Sequence, residues 1–136
     1  MRQRNLVLIL ARDLADKLAS AAFIVDAEGA LVYFNERCGE ILGTTFAEAG
    51  PMPMDVWTKD FFPTDFEGRP MPPDDLPLVQ ALRHHKPVHK TFRIHGVDGS
   101  PRNIAVTALP LFAHQAECVG GMALFWEHDQ IGGGGS

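Results

Sequence analysis

The stretch from Ala22 to Gly43, AFIVDAEGALVYFNERCGEILG, constrains this chain more than any other. Phe23 to Val25 is a short apolar run rich in β-branched residues. Asp26-Ala27-Glu28-Gly29 follows with turn chemistry: an Asp able to bond back onto the turn, and a glycine free to take positive φ. Leu31 to Phe34 is a second strand-like run. Two such runs around a glycine-containing turn predict a β-hairpin. Asn35 is a good N-cap for a short helix over Glu36 to Leu42, and Gly43 stands where a terminating glycine belongs.

The rest of the chain divides by pattern. Residues from about Gln3 to Ala19 contain no Gly or Pro and are rich in Leu and Ala. Leu6, Leu10, Leu14 and Leu18 recur every four residues, with Val7 and Ala11 beside them, which predicts an amphipathic helix. One stripe can cover a sheet face, and Leu8 and Ile9 then point elsewhere; an uncovered apolar surface usually meets a partner. The alternative is that both stripes pack within one molecule. Thr45-Phe46-Ala47-Glu48 reads as a capping box for a short helical turn. From Gly50 to Pro73 the chain is rich in Pro, with Trp57, Phe61, Phe62 and Phe66 interleaved, so its rings should pin it to the core. Asp74 or Asp75 is expected to cap a helix running to about His84, with Leu78, Val79 and Leu82 inward and Lys86-Pro87 as its stop. Three strands follow: Val88 to His95, Arg102 to Leu111 and Glu117 to Trp126. Val88, Phe92 and Ile94 share one parity, as do Ile104, Val106 and Ala108.

Strands gathered at both ends around a helical middle predict an α+β fold, an antiparallel sheet with helices on one face. Gly120 and Gly121 in the last strand weaken it locally; they permit either a close approach of the N-terminal helix or a ligand, or a plain bulge. With 136 residues, 46% of them hydrophobic, one globular domain with a proper core is expected. The net charge is -5, and Lys and Arg do not cluster beyond single pairs, which argues against a nucleic-acid groove. Two cysteines, Cys38 and Cys118, make no disulfide framework, so a reducing cytoplasm is the expected location. The apolar run from Leu6 to Ala11 is too short for a membrane span and is followed at once by charges. Gly132 to Ser136 reads as a flexible linker of engineered type and is set aside.

Taken in order, Ile24-Val25-Asp26, Gly29, Val32-Tyr33-Phe34-Asn35 and Ile41-Leu42-Gly43 resemble the start of a PAS domain, a small sensor module of signalling proteins. Val97-Asp98-Gly99-Ser100 looks like the family's turn between its third and fourth strands, and Val106 to Leu111 like the fourth strand. Gly120 to Asp129 looks like the last strand running into the Asp of the family's D-I-T exit motif, although Gln130-Ile131 departs from that motif. The resemblance covers roughly residues 20–129, leaving 1–19 as the amphipathic helix and 130–136 as the tail. It implies a five-stranded sheet in the order 2-1-5-4-3. It also implies a homodimer through the N-terminal helix, with Leu6, Leu8, Ile9, Leu10 and Leu14 as interface candidates, and a downstream effector fed from Asp129.

Chemistry-bearing residues give little else. His84 and His85 end the expected long helix and His89 follows, but no Cys lies near them and a helix C-terminus suits imidazolium anyway. His95, His114 and His128 look like strand-end or loop residues. The LOV branch of the family needs a reactive cysteine in an N-C-R-F-L-Q-like motif on a later helix; Cys38 sits on the first, so a LOV photoreceptor is rejected. No activated nucleophile and no phosphate-binding glycine loop is present, and no enzyme is expected. What remains is a space between helices and sheet. Ile41, Trp57, Phe61, Phe62, Leu78, Leu82, Phe92 and Val106 are expected to line it, with Tyr33, Asn35, Arg93 and Thr107 as groups that could orient a ligand. The expected function is a sensory and dimerisation module, with a small apolar ligand or a closed core, and no metal or cofactor. A haem- or flavin-loaded sensor and a small enzyme are the rival readings.

Overall fold

The computed structural model describes residues 2–114 and 117–127, with side chains from residue 6 onward. Helix α1 spans Arg2–Asp16 and strands β1 and β2 span Ala21–Asp26 and Leu31–Phe34. Helices α2 (Glu36–Leu42), α3 (Phe46–Ala49) and α4 (Met54–Asp60) follow, then a 3-10 turn at Pro73–Asp75 and helix α5 (Pro77–His84). Strands β3 (Val88–His95), β4 (Pro101–Phe112) and β5 (Cys118–Glu127) close the chain. The five strands form one sheet in the order β2-β1-β5-β4-β3, antiparallel throughout, as the resemblance implied.

Local chemistry explains the hairpin and its helix. Asp26 Oδ1 accepts from the N–H groups of Glu28 and Ala30, both at 3.0 Å, and Gly29 takes φ of 85°. Asn35 caps α2 by accepting from the Cys38 N–H, and Gly43 ends it in the left-handed region. Thr45 caps α3 through the Glu48 N–H, as the capping box predicts.

Two expectations fail in the helical middle. Helix α5 starts at Pro77 after an uncapped Leu76, and Asp74 and Asp75 occupy the preceding 3-10 turn. Pro77 pre-sets the first helical φ and lacks the N–H a cap would serve. The aromatic segment also contains α4, a helix hidden by the surrounding prolines; it buries Trp57 and Thr58.

Each face of the sheet carries a separate apolar cluster. On one, Phe23, Val25, Phe92, Ile94, Ile104, Val106 and Phe125 meet α2, α4 and α5. On the other, Ala22, Ile24 and Met122 meet Ala11 and Ala15 of α1, with Leu8, Leu18, Val32 and Leu124 around them. The paired glycines serve both faces. A Cβ on Gly120 would overlap the Val25 carbonyl oxygen and lie 3.1 Å from Leu8, whereas one on Gly121 would lie 2.9 Å from Leu78. A bulge is there too: Leu111 pairs with Gly120 but Phe112 with Cys118, so Val119 is the extra residue.

Candidate functional site

Between the helical roof and the sheet lies a cavity of about 80 Å3. The sheet contributes Phe23, Phe92, Ile94, Ile104, Val106, Ala123 and Phe125; the roof contributes Leu42, Trp57, Phe61, Pro63, Leu76, Pro77 and Leu78. Every one of these side chains is apolar apart from the indole nitrogen of Trp57, and that donates to the Gly29 carbonyl at 2.7 Å. Ring packing stiffens the wall: Phe23 meets Trp57 edge-on at 5.1 Å. Small-molecule sites usually measure roughly 300–1,000 Å3 and carry a few convergent polar groups. This cavity has neither the volume nor the groups. The wall offers no histidine to iron and no donor to a flavin ring, so the residues present fit neither haem nor flavin.

Of the twelve expected cavity residues, Trp57, Phe61, Leu78, Phe92 and Val106 line the wall. Ile41 and Leu82 pack in the same core outside it. Phe62 is 64% exposed, with φ of 47°; its carbonyl accepts from His95 Nδ1 at 3.0 Å. The four polar candidates lie elsewhere. Arg93 and Thr107 have the parity opposite to Phe92 and Val106 and stand on the outer face: Arg93 Nε donates to Asn103 Oδ1 at 2.9 Å, and Thr107 Oγ1 shares a hydrogen bond with His89 Nδ1. Tyr33 faces α1. Its hydroxyl donates to Asp16 and the Arg12 guanidinium lies 4.3 Å above its ring; burial, then the Asp16 bond, raise its pKa. Asn35 is buried and structural. The wall residues missed by the sequence reading, such as Ile94, Ile104 and Phe125, share the strand parity of those found; that parity was the available signal.

Asn35 uses its whole hydrogen-bonding capacity. Oδ1 accepts from the Ala22 and Cys38 N–H groups, each at 3.0 Å, while Nδ2 donates to the carbonyls of Ala15 at 2.8 Å and Ser20 at 3.0 Å. One side chain therefore holds β1, α2 and the end of α1 together.

Helix α1 turns the stripe Leu8, Ala11 and Ala15 onto the sheet, with Leu18 just beyond its end continuing it. This corrects the expectation for Leu8, which belongs to the covered face because Gly120 lets it approach. Leu6, Ile9, Leu10 and Leu14 remain, each more than half exposed. The exit residue Asp129 lies outside the described residues.

Among the described residues no three His, Cys, Asp or Glu side chains gather where they could hold a metal ion. Cys38, on the inner side of α2, is fully buried, and burial pushes its thiol pKa well up; Cys118 is half-buried. No helix among the described residues is long and apolar enough to cross a membrane.

The sequence profile of the family described as PAS fold matches residues 15–129. No curated protein matches the chain. Solved structures do. The PAS domain of a Colwellia psychrerythraea protein superposes with a TM-score of 0.63 at 15% identity, covering 89% of this chain and 96% of that one. The PAS domain of the fruit-fly ELK potassium channel gives 0.69 at 12% identity, covering 90% and 98%. The LOV domain of a blue-light activated histidine kinase from Erythrobacter litoralis gives 0.63 at 17%, covering 83% and 99%. Identities this low carry the fold alone.

Proposed function

The chain belongs to the PAS fold family, whose members are generally sensory and signalling modules, and from that premise we propose that it is a sensory and dimerisation module of a signal-transduction or transcription-regulatory system. The observation that carries this reading is the apolar face of α1. Leu6, Ile9, Leu10 and Leu14 are 53–62% exposed although the same helix already buries a second stripe on the sheet. Asp13 and Lys17, paired at 2.7 Å, share that exposed face. A face carrying both signs among leucines suits a self-complementary two-fold contact, so the occupant proposed is a second copy of this chain.

The cavity sets what could be sensed directly. At about 80 Å3 with an apolar wall, it admits only a small apolar molecule unless the roof moves. In this reading the chain is not catalytic, acts in the cytoplasm, and passes its signal to a downstream effector through Asp129. It makes no contact with nucleic acid and none with a membrane. Tyr33 and Arg93, the residues a small enzyme would most plausibly use, have structural partners.

Native mass spectrometry of the purified protein tests both halves at once, because it reports subunit number and bound mass together. A dimer, bare or with a small apolar adduct, is expected. A strict monomer at all concentrations would remove the dimer reading, and a visible haem or flavin band would overturn the apolar-cavity reading.

A further inference from the structure

We propose that Asn35 is a positioning residue that couples the state of the roofed cavity to the hold on α1. This inference rests on the sensory reading above and names the route by which one face of the sheet would influence the other.

The two structures to be linked lie on opposite faces. Leu42, at the end of α2, lines the cavity, and Phe23 of β1 stands beside it in the wall. Leu6, Ile9, Leu10 and Leu14 lie on α1 across the sheet. A sheet is a stiff partition, and side chains on one face do not reach the other. Asn35 sits at the rim where β2 passes into α2, and it is 3% exposed. Its amide touches both sides through different atoms. Oδ1 holds the first turn of α2 through the Cys38 N–H; Nδ2 holds the last turn of α1 through the Ala15 carbonyl and the connection to β1 through the Ser20 carbonyl.

A planar amide with all four positions engaged cannot follow α2 without moving against α1. If α2 shifts or frays because the cavity fills or empties under Leu42, the plane tilts and the two carbonyls lose their donor. The Ala15 carbonyl is among the last acceptors of α1; it receives the Leu18 N–H at 3.2 Å, a tightened terminal turn, and Asn35 Nδ2 as its second and shorter donor. A second tie, the Tyr33 hydroxyl on Asp16, joins α1 to β2. Among the described side chains, Asn35 is the one that hydrogen-bonds both the end of α1 and the first turn of α2.

Chemistry separates its two jobs. Asp caps a helix as well as Asn does, so Asn35→Asp keeps the Oδ1 acceptor for Cys38 but replaces the donor by an oxygen facing two carbonyls. The test is amide hydrogen exchange of α1, read relative to the amides of β4, in the full chain. Asn35→Asp should speed α1 exchange about tenfold, as loss of two hydrogen bonds implies, with α2 unchanged. Leu42→Ala, made on the cavity side, should speed α1 exchange about fivefold when Asn35 is present and add nothing on top of Asn35→Asp. Tyr33→Phe should loosen α1 yet leave its response to Leu42→Ala intact. If Asn35→Asp fails to fold, Asn35→Ser, which keeps a capping oxygen and lacks Nδ2, takes its place with the same expectation.

The proposal is overturned if α1 does not respond to Leu42→Ala, or responds equally with and without Asn35. Exchange reads this coupling in monomer and dimer alike, whereas native mass spectrometry reads the dimer. A monomeric protein whose α1 still responds through Asn35 would refute the dimer reading and leave the coupling standing.

Discussion

The two faces of this sheet are built from opposite materials. The roofed face uses large rings and branched chains, with Phe23 in ring contact with both Phe34 and Trp57, and leaves a gap of about 80 Å3 beside Phe23 and Trp57. The outer face uses alanines and glycine: Ala11 and Ala15 of α1 lie on Ala22, and Leu8 settles where Gly120 has no side chain. Large side chains hold the roof helices α2, α4 and α5 at the distance of their rings and cannot fill every void. Small ones let one straight helix approach closely, leaving its larger residues turned to solvent. The cavity and the exposed leucines of α1 therefore lie on different faces, and in the proposed reading any coupling between them passes around the sheet's edge.

If the roofed face is closed as tightly as its burial implies, its thiol should be the least reactive. Cys38 is expected to react with a thiol reagent at a rate set by opening of the fold, about 10³-fold or more slower than half-buried Cys118. Comparable rates for the two would mean that the α2 roof opens on its own.

Removing a roof ring should cost most among single substitutions. Trp57→Ala deletes a side chain that is 7% exposed, breaks its bond to Gly29 and enlarges the cavity; about 3–5 kcal/mol is expected in denaturant unfolding. A loss below 1 kcal/mol would show that the roof is not what stabilises the domain.

The adjacent glycines sharpen the contrast within two residues. Gly120→Ala meets the backbone of β1, which cannot step aside, so about 1–3 kcal/mol and a disturbed β1–β5 ladder are expected. Gly121→Ala meets the methyl end of Leu78 at 2.9 Å, which can rotate, and the Leu109 carbonyl oxygen only at 3.3 Å, against 2.3 Å to the Val25 carbonyl oxygen at Gly120, so its cost should be smaller. Equal costs would remove the distinction between a rigid and a yielding neighbour.

The smallest effect on the fold belongs to the exposed face of α1. Leu14→Asp should change monomer stability by no more than about 0.5 kcal/mol, because Leu14 is 53% exposed. The same substitution should weaken self-association in light scattering across concentration. A large loss of monomer stability would place Leu14 in the intramolecular packing instead.

Much of this architecture was legible before any coordinates. The hairpin from Phe23 to Phe34, the Asn35 cap and the three-stranded meander rest on turn chemistry and strand parity, both set by neighbours in the chain. Parity also contained a correction that the list of polar candidates overlooked: Arg93 and Thr107 alternate with Phe92 and Val106, so they face away from the cavity. Helix α4 was hidden because the prolines around it signal irregular chain, and only burial of Trp57 and Thr58 against the rest of the fold makes a helix the better solution there.

The sequence by itself determined the elements and their order, because caps, turns and alternation act between residues a few positions apart. Tertiary structure decided which stripe of α1 meets the sheet, how much space remains under the roof, and that one asparagine serves both sides. Those outcomes depend on side chains far apart in sequence competing for the same volume. Leu6, Leu10 and Leu14 make the more obvious stripe, yet the alanines and Leu8 win the sheet, since only they fit against Ala22, Ile24 and a strand with no side chain at Gly120.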